Sequence, residues 1–515
     1  MREVERKFRV HDEFALPELT GGDAPVARVA DLGAHTLEAT YYDTADLRLA
    51  RAGITLRRRS GGPDAGWHLK LPVAGAPPGV REELQRPLVG RKPPEDLRDL
   101  LHAQVRTARL EPVATLRTRR QTYDLYAADG ALAGQLLDDN VAVLDGKRSG
   151  GGSSRAVTSR FRELEVEAHQ DQVDFGPALE DVCRRLGSAG AVEGEFVSKA
   201  VRALGAQAAG EPDVVVPEAP SPEGPAREAI RSYIATQVAA VLREDPRVRL
   251  DLDDAVHQLR VACRRLRSGL KTFGPLLDET WTSELRDELS WLAGSFGDLR
   301  DREVLLAHIE ADLDDLAQDP EVAPSAEAAR TLIRRRLRRE MTAARRSALE
   351  AMRSERYLTL LDRLVEAARE PRVTPAADQS AAQTLPPLVA ASWTRLAKRA
   401  RKLTPDSPAE DWHATRIAAK RARYAGEASV AVFGQPARRY AAQVERLTEL
   451  LGGHQDAFVT SAALRAAVTA RSPALAAFAV GDLHARQRAY AAAARSAFGQ
   501  VWPQVQRAKW RRWLR

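Results

Sequence analysis

The chain has 515 residues, 44% of them hydrophobic, which is too long for one hydrophobic core and implies two or more domains. Its net charge of +7 is uneven: from Glu211 onward there are 48 Lys and Arg against 40 Asp and Glu, and before that point 30 against 31, so the later part is expected to meet a polyanion. Two cysteines, Cys183 and Cys263, exclude a disulfide framework and a zinc cluster, and no run approaches the ~20 apolar residues of a membrane span.

The first 204 residues read as short alternating runs, at 3–10, 54–59, 68–71, 113–126 and 161–168. Turn residues such as Gly61-Gly62-Pro63-Asp64 and Gly150-Gly151-Gly152-Ser153-Ser154 bound them. This predicts an antiparallel β domain with a helix at 94–106 and a closing helix or turn at 190–204. Residues 206–221 are rich in Pro, Ala and Glu without a period and read as a linker. From 226 onward the pattern is helical, punctuated by Pro246, Pro275, Pro320, Pro371, Pro386-Pro387, Pro405, Pro436 and Pro473.

The opening Glu3-Val4-Glu5-Arg6-Lys7 puts Glu3, Glu5 and Lys7 on one face of a strand. Paired carboxylates suit a hard divalent cation, and the lysine beside them suits a phosphate oxygen. Alone, this would equally describe a solvated edge strand. The theme repeats, however: Arg57 with Arg59, His68 with Lys70, Arg117 with Arg119, and Glu163 with Glu165 and Glu167. Strands charged on one face and apolar on the other predict a barrel with a charged interior. Bases from several strands would surround a phosphate chain, and acids would hold Mg²⁺ or Mn²⁺ against it.

The opening ExExK, Leu56-Arg57-Arg58-Arg59, Leu69-Lys70-Leu71-Pro72 and Glu163-Leu164-Glu165-Val166-Glu167 together resemble the CYTH, or triphosphate tunnel metalloenzyme, superfamily over residues 1–205. The resemblance implies an eight-stranded antiparallel tunnel that hydrolyses inorganic or thiamine triphosphate, cyclises ATP or caps RNA. By position, Glu3, Glu5, Glu163, Glu165, Glu167 and Asp139 resemble metal ligands. Lys7, Arg57, Arg59, Lys70, Arg117, Arg119 and Lys199 resemble triphosphate-binding bases, and Glu3, Glu5, Lys7 and Lys70 the catalytic set. Gln135 stands where a glutamate is common, and a Gly/Ser insertion surrounds Gly150. Tyr41-Tyr42-Asp43-Thr44 reads as structural.

The helical part carries a repeat. His257-Gln258-Leu259-Arg260 with Arg264-Arg265-Leu266-Arg267 recurs 156 residues later as His413-Ala414-Thr415-Arg416 with Lys420-Arg421-Ala422-Arg423. Gly297-Asp298-Leu299-Arg300-Asp301 is echoed at an offset of 155 by Gly452-Gly453-His454-Gln455-Asp456. On helices, His257, Arg260, Arg264, Arg267 and Lys271 form one basic stripe and His413, Arg416, Lys420 and Arg423 a second. Arg395, Lys398 and Lys402 share a further face. Such stripes repel unless an anion neutralises them. The duplicated pattern resembles the CHAD, or conserved-histidine α-helical, domain over 222–510, with repeats at about 226–375 and 380–510. The resemblance implies a pair of four-helix bundles that bind inorganic polyphosphate through these residues. Glu427 stands in the place of Lys271 in the second copy.

The expected protein is therefore α+β and multidomain: a tunnel at 1–205, a linker at 206–221, and a helical pair at 222–510. Its expected activity is metal-dependent hydrolysis of inorganic triphosphate or a related short triphosphate, with polyphosphate held by the helices. A CYTH domain followed by a CHAD domain is a pairing seen in bacterial inorganic triphosphatases. The other readings are a non-catalytic polyphosphate scaffold, and adenylate cyclase or thiamine triphosphatase chemistry in the same tunnel. No nucleic-acid reading motif or stacking platform is evident. A cytoplasmic location, with attachment to polyphosphate granules, is expected.

Overall fold

The computed structural model describes residues 2–21, 24–73, 80–145, 155–169, 175–194, 198–218 and 220–515, the side chains of Arg2 and Glu3 excepted. The Gly/Ser insertion at 146–154 lies outside the described residues. Two compact units form, Met1–Asp213 and Val214–Arg515.

In the first unit eight strands close on themselves: β1 (Arg2–Val10), β2 (Val26–Asp43), β3 (Thr55–Ser60), β4 (Gly66–Pro72), β5 (Val80–Arg86), β6 (Glu111–Ala127), β7 (Leu132–Leu144) and β8 (Val157–Ala168). Their order is β5-β4-β3-β2-β6-β7-β8-β1, and β1 pairs again with β5, so the antiparallel barrel has no free edge. A two-residue strand, β9 (Val192–Glu193), adds to β1. β2 is 18 residues long but shows no clean alternation in sequence, because its register slips between Asp31 and Ala34. The expected helix at 94–106 is two short ones, α2 (Glu95–Asp99) and α3 (His102–Val105). Another short helix, α1 (Arg48–Arg51), follows β2.

The barrel is inverted relative to an ordinary core. On β8, Leu164 and Val166 point outward and pack with Leu125 of β6, Leu136 of β7, and Leu179, Val182 and Leu186 of helix α4 (Pro177–Ser188). The intervening Glu163, Glu165 and Glu167 are left to the interior. One end is filled differently. Ala200 of helix α5 (Lys199–Leu204) packs with Ala39, Tyr41, Leu116, Val141 and Val143.

The second unit comprises α6 (Ala226–Arg249), α7 (Ala255–Thr272), α8 (Glu279–Ser295), α9 (Gly297–Leu316), α10 (Ala323–Arg353), α11 (Glu355–Arg369), α12 (Ala381–Ala400), α13 (Ala409–Ala428), α14 (Val430–Phe433), α15 (Gln435–Ala467) and α16 (Ala474–Val505). The repeat is visible as α6 with α12, α7 with α13, and α10 with α16. The single helix α15 spans the equivalents of α8 and α9. One bundle joins α6, α7, α8 and α11. A second joins α12, α13 and the facing halves of α15 and α16 around Trp393, Trp412, Tyr440 and Trp502. The far halves of α15 and α16 meet α9 and α10 in a further apolar layer. Pro246 and Pro386-Pro387 do not end helices as expected but lie inside α6 and α12, where buried neighbours such as Leu385 and Val389 hold the helix through them. Two glycines set close approaches. A Cβ at Gly269 would run into the Tyr233 ring, and one at Gly426 into the Tyr440 ring.

Candidate functional site

The barrel encloses a cavity of about 810 Å³. Its acidic wall comes from β1 and β8, which pair Glu5 with Glu167 and Lys7 with Glu165. Glu5, Glu165 and Glu167 each offer a carboxylate oxygen within 4.8 Å of the others. Among the described residues this is the group of acids or histidines assembled in that way. Glu5 is 5% exposed, and its buried Oε2 has no hydrogen-bond partner. A buried carboxylate oxygen left this way is costly, and a hard cation would satisfy it. The trio therefore fits a divalent metal.

The acids are held charged by bases built into the same wall. Lys7 Nζ lies 2.7 Å from Glu165 and 3.1 Å from Glu5. Lys199 Nζ reaches Asp139 at 2.9 Å, Glu163 at 2.9 Å and Glu165 at 2.7 Å. Arg120 grips Asp139 with two bonds of 2.8 and 2.6 Å and touches Glu165 at 2.9 Å. Burial opposes ionisation of Glu165, but Lys199, Lys7 and Arg120 outweigh it and hold its pKa well below the usual range. Glu5 is likewise lowered, against burial, by Lys7, Lys70 and Lys199. The lysines gain in return: burial works against Lys7 and Lys199, yet Glu165 with Glu5 and Asp139 with Glu163 raise them.

The opposite wall is basic. Arg57, Arg59, Lys70 and Arg81 line the cavity there, while Arg120, also in the lining, stays with the acids it bonds. Arg59 pairs with Asp64, and its buried Nε has no hydrogen-bond partner. Burial, with Arg57 and Arg120 nearby, pushes Arg59 down to about 9, so it lies where an anion is wanted. His68 is buried, and burial pushes it down to about 4. It is bonded to Glu83 at 2.8 Å and to the Asp64 carbonyl at 2.9 Å, so it positions rather than binds.

Several expected site residues stand elsewhere. Arg117 and Arg119 are exposed on the outer face of β6, with Arg117 donating to Glu38 at 3.1 Å. The interior base of that strand is Arg120. The expectation failed because the apolar side of β6 changes: Leu116 packs inward near α5, whereas Leu125 packs outward against α4. Alternation alone therefore does not reveal the inside. Asp139 and Glu163, expected as metal ligands, lie outside the carboxylate trio and hold Lys199, with Arg202 on Glu163 at 2.8 Å. Glu3 lies in β1 opposite Arg81, and its side chain is outside the described residues. Gln135 lines the cavity and donates to Asp124 at 2.8 Å. Asp43 is structural, as expected, accepting from the backbone N–H groups of Thr44, Leu49 and Ala50. Glu83 gave no signal in sequence, because only the pairing of β4 with β5 sets it beside His68 and Lys70.

The helical unit has its own cavity, a groove of about 1110 Å³ between α7 and α8 on one side and α12 and α13 on the other. Arg264, Arg267, Lys271, Arg395, Lys398, Lys402, Arg416 and Lys420 line it, joined by Arg286, Arg399 and Arg421, which the stripes did not include. Asp287 and Asp411 are the acids among the described lining residues. Burial, then Arg416 and Arg264, push Lys420 down to about 8. Lys271, Arg416 and Arg421 are lowered too, first by burial. Arg423 is not part of this lining. It bonds Glu427 at 2.6 Å and pairs with Glu445, and Glu427 also takes Arg265 at 3.0 Å. His257, Arg260 and His413 also lie outside the lining. Arg260 donates to the Ala293 carbonyl at 2.7 Å, and His413 bonds Gln455 at 3.1 Å. The C-terminal Trp513 packs on Phe433 and Tyr440, so the basic aromatic tail is docked on its own bundle.

The CYTH domain family matches residues 1–187, and the CHAD domain family residues 232–465. An uncharacterized protein of Mycobacterium tuberculosis is 36% identical over 478 residues, covering 89% of this chain and 87% of that one. The solved structure of PptA from Streptomyces chartreusis is similar at 29% identity and a TM-score of 0.46, covering 54% of this chain and all of that one. The CHAD domain from the plant Ricinus communis is similar at 27% identity and a TM-score of 0.45, covering 56% of this chain and 95% of that one. No described helix is long and apolar enough to cross a membrane. With its closed barrel of opposed acidic and basic walls and its duplicated basic helices, the chain belongs to the proteins in which a CYTH domain, the triphosphate tunnel fold, is followed by a CHAD domain.

Proposed function

We propose that the tunnel hydrolyses inorganic triphosphate, or a related short triphosphate, with Mg²⁺ or Mn²⁺, and that the helical groove holds inorganic polyphosphate. The observation that carries the first half is Glu5 Oε2, buried and unbonded beside Glu165 and Glu167, in a cavity also lined by Arg57, Arg59, Lys70 and Arg120. Glu5, Glu165 and Glu167 would hold the metal, which when bound neutralises phosphate charge and activates water. The chain's own bases do the rest. Arg57, Arg59, Lys70 and Arg120 line up the phosphoryl oxygens, and Lys7 stands between the acids and the substrate. Phosphoryl transfer needs little covalent help, so positioning and fixed charge supply most of the acceleration.

The lining favours an inorganic substrate over a nucleotide. Among the described lining residues Tyr41 is the ring of the Phe, Tyr and Trp kind, and it is part of the plug around Ala200; of the imidazoles, His68 is buried and bonded on both nitrogens, and His35 lies at the Leu32 end. Among the described lining residues an adenine would find no free Phe, Tyr or Trp ring to stack on. In the groove, Tyr424 is the aromatic among the described lining residues, which favours polyphosphate over single-stranded nucleic acid. Gln135, paired with Glu167 across β7 and β8, stands where the family resemblance has a glutamate but takes no carboxylate from the trio.

The test is phosphate release by the full chain from triphosphate, ATP, thiamine triphosphate and long-chain polyphosphate, each with Mg²⁺ and Mn²⁺. Triphosphate should be turned over fastest. Glu5→Ala should lower kcat/KM by about 100-fold or more, as expected for loss of a metal ligand at a charge-stabilised transition state. Equal rates for wild type and Glu5→Ala would refute hydrolysis in the tunnel.

A further inference from the structure

Residues 205–213 follow α5, and from 206 onward they were expected to open a linker. They instead belong to the barrel unit. Ala208, Ala209 and Gly210 line the tunnel cavity together with Arg51 and Gly53. Ala208 is 2% exposed. The segment is fastened by Asp213, which is 7% exposed. Asp213 Oδ1 accepts from Arg51 at 2.7 Å, Oδ2 accepts from the buried Arg106, and Arg48 lies 3.7 Å away. Arg51 also donates to the Glu211 carbonyl at 3.3 Å. A buried carboxylate drawing arginines from α1 and from the end of α3 is a fixed tie, because breaking such a pair strands a charge.

The two ends of the cavity differ. At one end the lining is Leu32, His35 and the β3–β4 turn Gly62-Pro63-Asp64, and Leu32 is 58% exposed. At the other end are Ser198, which caps α5, and Lys199 and Val201 of α5 with Ala208–Gly210, backed by the apolar plug around Ala200. Arg51 faces the cavity at this second end, and its Nε is buried without a hydrogen-bond partner. A donor in that state beside a phosphate tunnel has an obvious use at the terminus of the phosphate chain.

We infer that residues 205–213 are a latched end-stop that limits the tunnel to short phosphate chains, with Asp213 as the positioning residue that holds the strap and Arg51 in place. This rests on the triphosphate reading for its substrate, while the latch itself rests on the ion pairs alone. A chain entering by the Leu32 end would stop with its far phosphate at Arg51. Longer inorganic polyphosphate would not thread through.

The test uses the full chain with Asp213→Asn, which keeps shape and removes charge, and Asp213→Glu as the conservative variant. Steady-state phosphate release is measured on triphosphate and on long-chain polyphosphate. Asp213→Asn should raise KM for triphosphate about 10-fold with kcat changed less than about twofold, and should shift preference toward the longer chain, as a displaced binding element does. Asp213→Glu should recover part of the loss. Independently, an Ala208→Cys probe is alkylated in both backgrounds, with Cys183 and Cys263 silent because both are buried. The probe should react about 10-fold faster when Asp213 is neutralised, since local opening governs access. If Asp213→Asn does not fold, Arg51→Leu tests the same end while leaving the Arg106 pair intact, and is expected to shift KM and chain preference in the same direction. Unchanged labelling overturns the latch. Faster labelling with unchanged chain-length preference overturns the end-stop. If the wild type releases no phosphate, the triphosphate reading and the end-stop role fall together, and the labelling still decides the latch.

Discussion

The tunnel and the groove are lined by the same residue types and treat them in opposite ways. In the tunnel, Lys7 and Lys199 are raised against burial, because Glu5, Glu163, Glu165 and Asp139 lie within about 3 Å of their ammonium groups. In the groove, Lys420 and Lys271 are lowered, because burial is reinforced by Arg264, Arg416, Arg286, Arg395 and Arg421 and opposed by few acids. A base in the tunnel is a part of a balanced lattice into which a cation and an anion can enter together. A base in the groove has more bases than acids beside it, which suits the polyanion proposed for it. Burial is common to both, so the neighbours decide the sign.

The comparison breaks most sharply at Lys199. Its ammonium serves three buried carboxylates at once, so Lys199→Met leaves Asp139, Glu163 and Glu165 short of a positive partner. The expected loss is about 3–5 kcal/mol of stability for the barrel unit, measured as the fall in denaturant midpoint. The loss should shrink as pH falls. The folded carboxylates titrate below their ordinary values, so the stability they lend is present above the ordinary value of about 4 and is lost as pH drops through the folded one. An unchanged midpoint would mean that the lattice is not what holds Lys199.

Where the sequence was legible follows from the same electrostatics. The acidic strand β8 alternates without a break over Glu163 to Glu167, so its inner face was plain. On β6 the apolar side changes between Leu116 and Leu125, and the inner base was missed by one residue. Glu83 and Arg51 needed tertiary pairing to come into view, since Glu82 and Arg86 charge the other face of β5 as well and Arg51 lies on a short helix. In the helices the repeat gave α7 and α13 directly. The groove's other wall required knowing that α8 and α12 flank them, which brings in Arg286 and Arg399. Arg423 had the right spacing but the wrong company: Glu445 comes from α15, more than twenty positions away.

The groove half is sharpened by removing one base. Lys420→Met should weaken binding of long-chain polyphosphate about 10-fold at low salt, as read by calorimetry on the full chain. The dependence of affinity on salt should become shallower, because one fewer counterion is released. Arg423→Met is the contrast. Its guanidinium is already neutralised by Glu427 and Glu445, so it should change affinity by less than about twofold. Equal effects of the two substitutions would show that bulk charge, not the groove, governs binding.

The smallest effect is the most diagnostic of the two electrostatic regimes. Lys420 is lowered from the ordinary lysine value of 10.5 to about 8, first by burial and then by Arg416 and Arg264. Between those values the unfolded chain binds a proton that the folded chain does not, so stability rises with pH across the window from about 8 to 10.5. Below pH 8 the folded protein carries a charge it does not favour. Lys420→Met should therefore stabilise the ligand-free helical unit at pH 7 by about 1 kcal/mol after screening, and should flatten the rise above pH 8. Saturating polyphosphate should erase the difference, because the bound anion outweighs Arg416 and Arg264, which Asp456 alone does not. Melting curves at pH 7 and pH 10, with and without polyphosphate, measure all of this. Lys199→Met should move in the opposite direction at pH 7, and two variants that both destabilised the protein would dissolve the distinction between a balanced tunnel and an unbalanced groove.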